Sequence, residues 1–459
     1  MKTTYVRIKL KTYYLFILLL AFPFFCMAKN NKCFETVRPR VIATTDGEID
    51  DECSMIRFLL YANDWDVEGI ITTSSKYHWH GHNWAGDDWM EPILDAYKKV
   101  YPNLVKNSSN YPAPDYLRTH TFLGNVDTEG EMDKITVGSQ QIVKILMDES
   151  DNRPVWIQAW GGTNTLARAL KTIEEEHHDK MAYVASKLRF YFISEQDNTY
   201  QSYIKPHWGK YNILTIISYQ FEAIAYSWEK SIPKEVHKYF KGDWMKKNIL
   251  ENNGSLCALY KAHTGNDKNG FEDGDFRSEG DSPSFMYEIP TGLNDPEYPN
   301  WGSWGGRYVK VLQNTWLDPV CDDRYHYFKS IWRWSDAFQN DFAARAAWCV
   351  KSYNDANHPP VVIVKGKSVL EKKCGDQVKL NAQKTYDPDG DNLTFKWWQY
   401  KEAGTFQGDV VFKNNNTSKT SFIIPSNAGK EQSIHIICEV KDDGMPQLTR
   451  YNRFVITVK

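Results

Sequence analysis

A short apolar run at 41–44 (Val41-Ile42-Ala43-Thr44) gives way to a polar turn, and apolar residues then recur at helical spacing through Met55, Ile56, Leu59 and Leu60. That pattern predicts a strand, a turn and a helix over 52–62. The alternation continues. Strands are expected at 67–73, 155–159 and 188–193, and helices at 89–100, 139–148, 163–175 and 332–350. Such alternation implies an α/β fold, a mainly parallel sheet covered by helices. In that architecture sites lie beyond the carboxyl ends of the strands. The turn at 45–51, Gly161-Gly162-Thr163-Asn164, and Glu195 to Asn198 all fall at such ends. Residues 230–306 are less regular and rich in Asp, Gly, Asn and Trp, as expected of long loops over a site.

The texture changes after the stretch Asn354-Asp355-Ala356-Asn357-His358-Pro359-Pro360. Short β-runs follow at 361–364, 377–380, 393–398, 433–437 and 453–458. About 100 residues with this spacing predict an Ig-like or PKD-like β-sandwich. The expected organisation is an α/β domain over 29–357 and a sandwich over 358–459. The turn Asp387-Pro388-Asp389-Gly390-Asp391 resembles those of PKD-like modules; a second calcium site and an ordinary acidic turn both remain open.

The chain has 459 residues, enough for more than one domain. Its start reads as a secretory signal peptide over 1–28. Lys2, Arg7, Lys9 and Lys11 precede an apolar run at 14–22, and Cys26-Met27-Ala28 supplies small residues for cleavage. The chain is therefore expected to be secreted or periplasmic. Lipidation at Cys26 is disfavoured by Phe24 and Phe25, and no later stretch is apolar enough to anchor the protein in a bilayer. Cleavage removes four basic and no acidic residues, taking the formal charge from -3 to -7. An acidic surface argues against nucleic acid as a partner. Export permits disulfides, and Cys374 with Cys438 is a possible pair in the sandwich. Cys53 is expected to be buried. Tryptophans in loop-like stretches, among them Trp79, Trp301 and Trp304, have the chemistry on which sugar rings stack.

Candidate chemistry centres on the turn itself. Asp46, Glu48, Asp50 and Asp51 lie within six residues. Clustered carboxylates repel unless a cation sits between them, and oxygen ligands suit calcium or magnesium. The plainer alternative is a solvated turn favoured by the helix dipole. His78, His80 and His82 alternate, so on a strand they would share one face and could bind a transition metal; surface histidines are the simpler account. Neither a phosphate-binding Gly-Lys-Ser/Thr loop nor a Gly-x-Ser-x-Gly elbow is present in the sequence.

The turn resembles the Asp-x-Asp-Pro-Gly-x-Asp-Asp signature of nucleoside hydrolases: Asp46, Asp50 and Asp51 match its acids, whereas Thr44, Gly47 and Glu48 depart from it. The stretch from Trp160 to Leu170 is similar to the family's Gly-Pro-Leu-Thr-Asn segment. Asn340-Asp341-Phe342-Ala343-Ala344 is similar to its His-Asp-Pro-x-Ala. Taken whole, the chain resembles a secreted branch described as cellulose-binding proteins with a nucleoside hydrolase-like domain. The resemblance implies a calcium ion held by Asp46, Asp51, Asp341 and a carbonyl at Asn164, with Thr163 and Asp336 as reserves. It implies Asp46 as general base for a metal-bound water that cleaves a furanosidic glycosidic bond with inversion. It further implies sugar contacts from Asp50, Glu195, Asp197, Asn198, Glu279, Asp281 and Asn340; Tyr77 and Trp79, in an aromatic loop, are candidates for stacking on the sugar. The family's sugar-binding asparagine after the second strand is replaced by Ser74-Ser75-Lys76-Tyr77. That departure and the export signal favour a glycoside over a nucleoside. Two alternatives stay open: a non-catalytic carbohydrate-binding protein on the same fold, and a periplasmic nucleoside hydrolase. The sequence does not determine the oligomeric state.

Overall fold

The computed structural model describes residues 38–265, 270–321 and 323–459. The expected signal peptide, Cys26 and Cys33 lie outside the described residues. No helix among the described residues is long and apolar enough to cross a membrane.

Eight strands form the main sheet: β1 Arg40–Thr45, β2 Asp66–Thr72, β3 Thr121–Leu123, β4 Val155–Ala159, β5 Leu188–Ile193, β6 Leu214–Ser218, β7 Val309–Leu312 and β8 Thr315–Leu317. Their order is β3-β2-β1-β4-β5-β6-β8-β7, and all pairs are parallel except β7 with β8. The sheet winds outward in both directions from β1, so a crevice opens beyond the carboxyl ends of β1 and β4. β1 is buried along its whole length, which is why it reads as a continuous apolar run rather than an alternating one. Helix α1, Ile49–Leu60, starts four residues after β1 ends. Its apolar side packs into a cluster with Trp65, Trp160 and Phe285.

The C-terminal strands are β9 Val369–Lys372, β10 Gln377–Asn381, β11 Thr394–Gln399, β12 Lys419–Ile423, β13 Ser433–Lys441 and β14 Thr449–Val458. They make a four-stranded sheet, β11-β13-β14-β9, and a two-stranded one, β10-β12. Val378, Leu380 and Phe422 from one sheet share a core with Trp397, Ile436 and Phe454 from the other, as a sandwich requires. The strand expected at 361–364 is not formed: Val361 makes only an isolated bridge to Tyr386, and β9 takes the edge. Cys374 and Cys438 are free thiols, one exposed and one buried, so the expected pairing is corrected.

The sandwich does not stand apart. Tyr400, Ile437 and Tyr451 belong to the same apolar cluster as α1. The Tyr451 N–H donates to the Thr291 carbonyl (2.9 Å), and Arg453 Nε donates to that of Leu293 (2.6 Å).

Candidate functional site

The acidic turn sits where β1 hands over to α1. The Asp51 carboxylate folds back to accept hydrogen bonds from the Thr45 hydroxyl and, at 3.2 Å, from the Asp46 N–H. Asp50 and Asp51 occupy the first turn of α1, where the helix dipole favours negative charge. The loop after β4 closes one side: a Cβ on Gly161 would lie 2.9 Å from that of Asp46. The segment 278–282 closes another, and a Cβ on Gly280 would lie 2.6 Å from Asp50 Oδ2. Both positions need glycine because the chain passes so close to the carboxylates.

Asp281 comes in on that second segment. Ligand atoms of Asp50, Asp51 and Asp281 lie within 4.8 Å of one another, as do those of Asp46, Glu48 and His78. Tyr226, exposed on its outer side, places its hydroxyl 3.2 Å from both Glu48 Oε1 and Asp50 Oδ1. Asp46 and Asp281 are 1% and 2% exposed, and Oδ2 of each has no hydrogen-bond partner. Burial pushes the Asp46 carboxyl up to about 7. Burial, reinforced by mutual repulsion, raises Asp50, Asp51 and Asp281 as well. An oxygen-rich, buried and mutually repelling set with two orphaned acceptors fits a hard divalent cation.

The other expected site residues divide. Asp281 joins the cluster more fully than expected, and Tyr226 was not signalled by any motif. Asn164 is buried, but its side chain ties loops together. Its amide donates to Ser74 Oγ (2.9 Å), the Asn125 carbonyl (3.0 Å) and the Glu131 carbonyl (2.9 Å), and its Oδ1 accepts from Thr73 Oγ1 (2.6 Å). Asp197 caps the helix Asn164–Glu176 by accepting from the Asn164 N–H (3.0 Å) and from Thr163 Oγ1 (3.2 Å). Its two oxygens are therefore occupied by the fold. Glu195 accepts from Gln201 (2.6 Å), and Asn198 is exposed. Tyr77 is exposed beneath the Lys76 ammonium, 5.0 Å from its ring, and Trp79 stacks on His82 at 4.2 Å. The three histidines do not share a face: His78 turns to the acids, His80 bridges Asp87 and Asp127, and His82 covers Trp79. Trp304 is fully buried and cannot serve as a sugar platform.

Two expectations need correction. Glu279 is not a sugar ligand: Arg57 holds both of its oxygens, and Tyr260 and Ser282 donate to it at 2.7 Å. Asp341 is not brought to the acidic turn. It sits on the helix Ser335–Trp348, with Asn340 beside it, and pairs with Arg345 (3.0 Å) and Arg450 (2.6 Å). The same Arg345 donates to the Leu60 carbonyl and to Asn63, at the far end of α1. The nine to ten helical steps from Asp51 and Asp50 to Leu60 put that end roughly 14–15 Å from them. The reserve Asp336 pairs with Lys441 on β13. Asp341→Asn is therefore expected to lower the melting temperature, because it leaves the buried Arg345 and the partly buried Arg450 short of a partner. It should leave divalent-cation affinity, measured by titration calorimetry, within about twofold of the parent, since its carboxylate is taken up by Arg345 and Arg450 and does not reach the cluster. A large loss of calcium affinity would restore Asp341 as a ligand.

Residues 40–308 match the family described as cellulose-binding Sde182, nucleoside hydrolase-like domain, and residues 377–458 match the cellulose-binding protein Sde0182, C-terminal domain. No curated protein matches the chain. Among solved structures, a nucleoside hydrolase-related protein from Saccharophagus degradans, associated with carbohydrate metabolism, is 32% identical. The match covers 92% of this chain and 100% of that one, with a TM-score of 0.76. The inosine-uridine preferring nucleoside hydrolase of Bacillus anthracis is 12% identical, with 68% of this chain and 100% of that one covered at a TM-score of 0.34. A plant nucleoside hydrolase is 11% identical, with 68% and 99% covered at 0.33. From the extent of the first match and the similarity to the S. degradans structure, this chain belongs to the cellulose-binding Sde182 family with a nucleoside hydrolase-like domain.

Proposed function

We propose that the chain is an exported, calcium-dependent glycoside hydrolase acting on a furanosidic bond. The observation that carries this reading is the pair of buried, unpartnered oxygens, Asp46 Oδ2 and Asp281 Oδ2, in one acidic crevice at the carboxyl end of the sheet. Asp50, Asp51 and Asp281 would hold the calcium, with Asp46 alongside. A bound ion would offset part of the cluster's charge and supply a Lewis-acidic centre for vicinal sugar hydroxyls. Asp46 acts as the base: its carboxylate takes a proton from the attacking water, whose oxygen bonds to the anomeric carbon on the face opposite the leaving group as the glycosidic bond breaks, and solvent protonates the departing oxygen. Asp50 and the Tyr226 hydroxyl accept and donate hydrogen bonds to the sugar at the rim. The backbone bonds from Gly162 to Ser74 and from Lys76 to Gln196 pull three loops together and limit water at the reacting carbon.

The test is metal removal. Sugar release from a panel of pentofuranosides should stop in chelator and return with calcium. The family's description as cellulose-binding, and the placement of Asp341 away from the cluster, favour a second reading: a carbohydrate-binding protein without catalysis. Retention of a glycan with no product from any member of the panel would select it.

A further inference from the structure

The crevice carries five carboxylates, from Asp46, Glu48, Asp50, Asp51 and Asp281. Among the described residues no lysine or arginine pairs with any of them; the nearby Arg57 is committed to Glu279. One divalent cation offsets two of the five negative charges. Three would then remain in a region where Asp46, Asp51 and Asp281 are almost wholly buried, and buried charge without a partner is costly.

The carboxylates also sort into two groups of different chemistry. Asp50, Asp51 and Asp281 offer oxygen alone. Asp46, Glu48 and His78 offer two carboxylates and an imidazole, with all three ligand atoms within 4.8 Å of one another. His78 Nδ1 lies 3.7 Å from both Asp46 Oδ2 and Glu48 Oε2. That spacing is too long for hydrogen bonds, and neither Asp46 Oδ2 nor His78 Nδ1 has a hydrogen-bond partner. Three ligand atoms that face one another without bonding are arranged as a cation would have them. The imidazole sets its class: hard alkaline-earth ions take oxygen, whereas imidazole suits zinc and its transition-metal neighbours.

We propose that the crevice holds a second divalent cation, of the zinc class, on Asp46, Glu48 and His78, beside the calcium on Asp50, Asp51 and Asp281. The inference rests on the proposed calcium site. A carboxylate has lone pairs for a metal and for a proton at once, so Asp46 serves both roles. Neither Glu48 nor His78 belongs to the nucleoside hydrolase signature; the proline and glycine of that signature are Gly47 and Glu48 here. The second site is thus a property of this chain's departures from the motif.

The experiment is a calorimetric titration of zinc into calcium-saturated full-length protein. The expected result is one further equivalent of zinc bound without release of calcium. His78→Ala and Glu48→Gln should each weaken zinc at least tenfold and leave the calcium isotherm unchanged, while Asp281→Asn should weaken calcium and spare zinc. Cobalt in place of zinc should give a visible spectrum that His78→Ala abolishes. Calcium binding with no zinc binding would overturn the second site and leave the proposed function standing; loss of both would overturn the two together. Zinc binding unaffected by His78→Ala would overturn the assignment to this triad.

Discussion

Asp46→Asn is expected to cut turnover of a responsive glycoside by about 10²–10⁴-fold, the range typical of losing a general base. The residue stands where β1 ends, 1% exposed, with burial holding its carboxyl up near 7. Burial raises the carboxyl and a cation beside it favours the carboxylate, the form that accepts a proton. Asparagine keeps the shape and removes the proton acceptor. Because Asp46 also faces the cation sites, the variant needs its calcium affinity measured alongside kcat and KM. A fall in kcat at saturating calcium marks the base. Unchanged turnover would exclude Asp46 from the chemistry, and glycan retention that survives the substitution with no turnover in the parent would mark a binding protein.

Arg57→Met should destabilise the fold by about 3–5 kcal/mol, the usual cost of removing one member of a buried ion pair. Arg57 and Glu279 are 1% and 0% exposed. Beyond that pair, Arg57 donates to the Phe338 carbonyl (3.3 Å) and to Gln339 Oε1 (2.6 Å), and its guanidinium lies 3.9 Å from the Phe342 ring centre. It therefore pins α1, the helix Ser335–Trp348 and the segment that carries Asp281 to one point. Methionine fills much of the volume but strands the Glu279 carboxylate. Urea unfolding reads the loss. Combining Arg57→Met with Glu279→Gln should recover a large part of it, because the stranded charge is gone. No recovery in the double variant would mean that the packing of the guanidinium, rather than its charge, holds the three elements.

The fold and the acidic turn were legible because each is written in contiguous residues. β1, the turn and α1 follow one another within 21 positions, and their periodicities change at the right places. The rest depends on which loops meet. Asp281 carries only a loose motif, yet the fold delivers it to the cluster; Asp341 sits in a better-matching motif and is delivered to two arginines. A motif of five residues cannot show that Arg450, 109 positions away, will claim its carboxylate. Tyr226 lies in a stretch of short helical turns with no periodic signal, so only the folded chain reveals it. The tryptophan-rich loop at 301–306 failed for a related reason. Gly and Asn neighbours mark Trp304 as a loop residue, but that loop is itself roofed by the sandwich, with Arg450 5.7 Å over the indole.

That roofing has a bearing on how such proteins are assembled over time and in the laboratory. The carboxy-terminal sheets donate Arg450 to Asp341, Lys441 to Asp336, and Tyr451 to the largest apolar cluster of the molecule. A gene fragment ending near residue 358 would encode a protein with raw indole and phenyl surface and orphaned acids along one flank. Such a cassette cannot be spliced off and grafted elsewhere as beads on a string can; both halves must travel, and accumulate substitutions, as one inheritance.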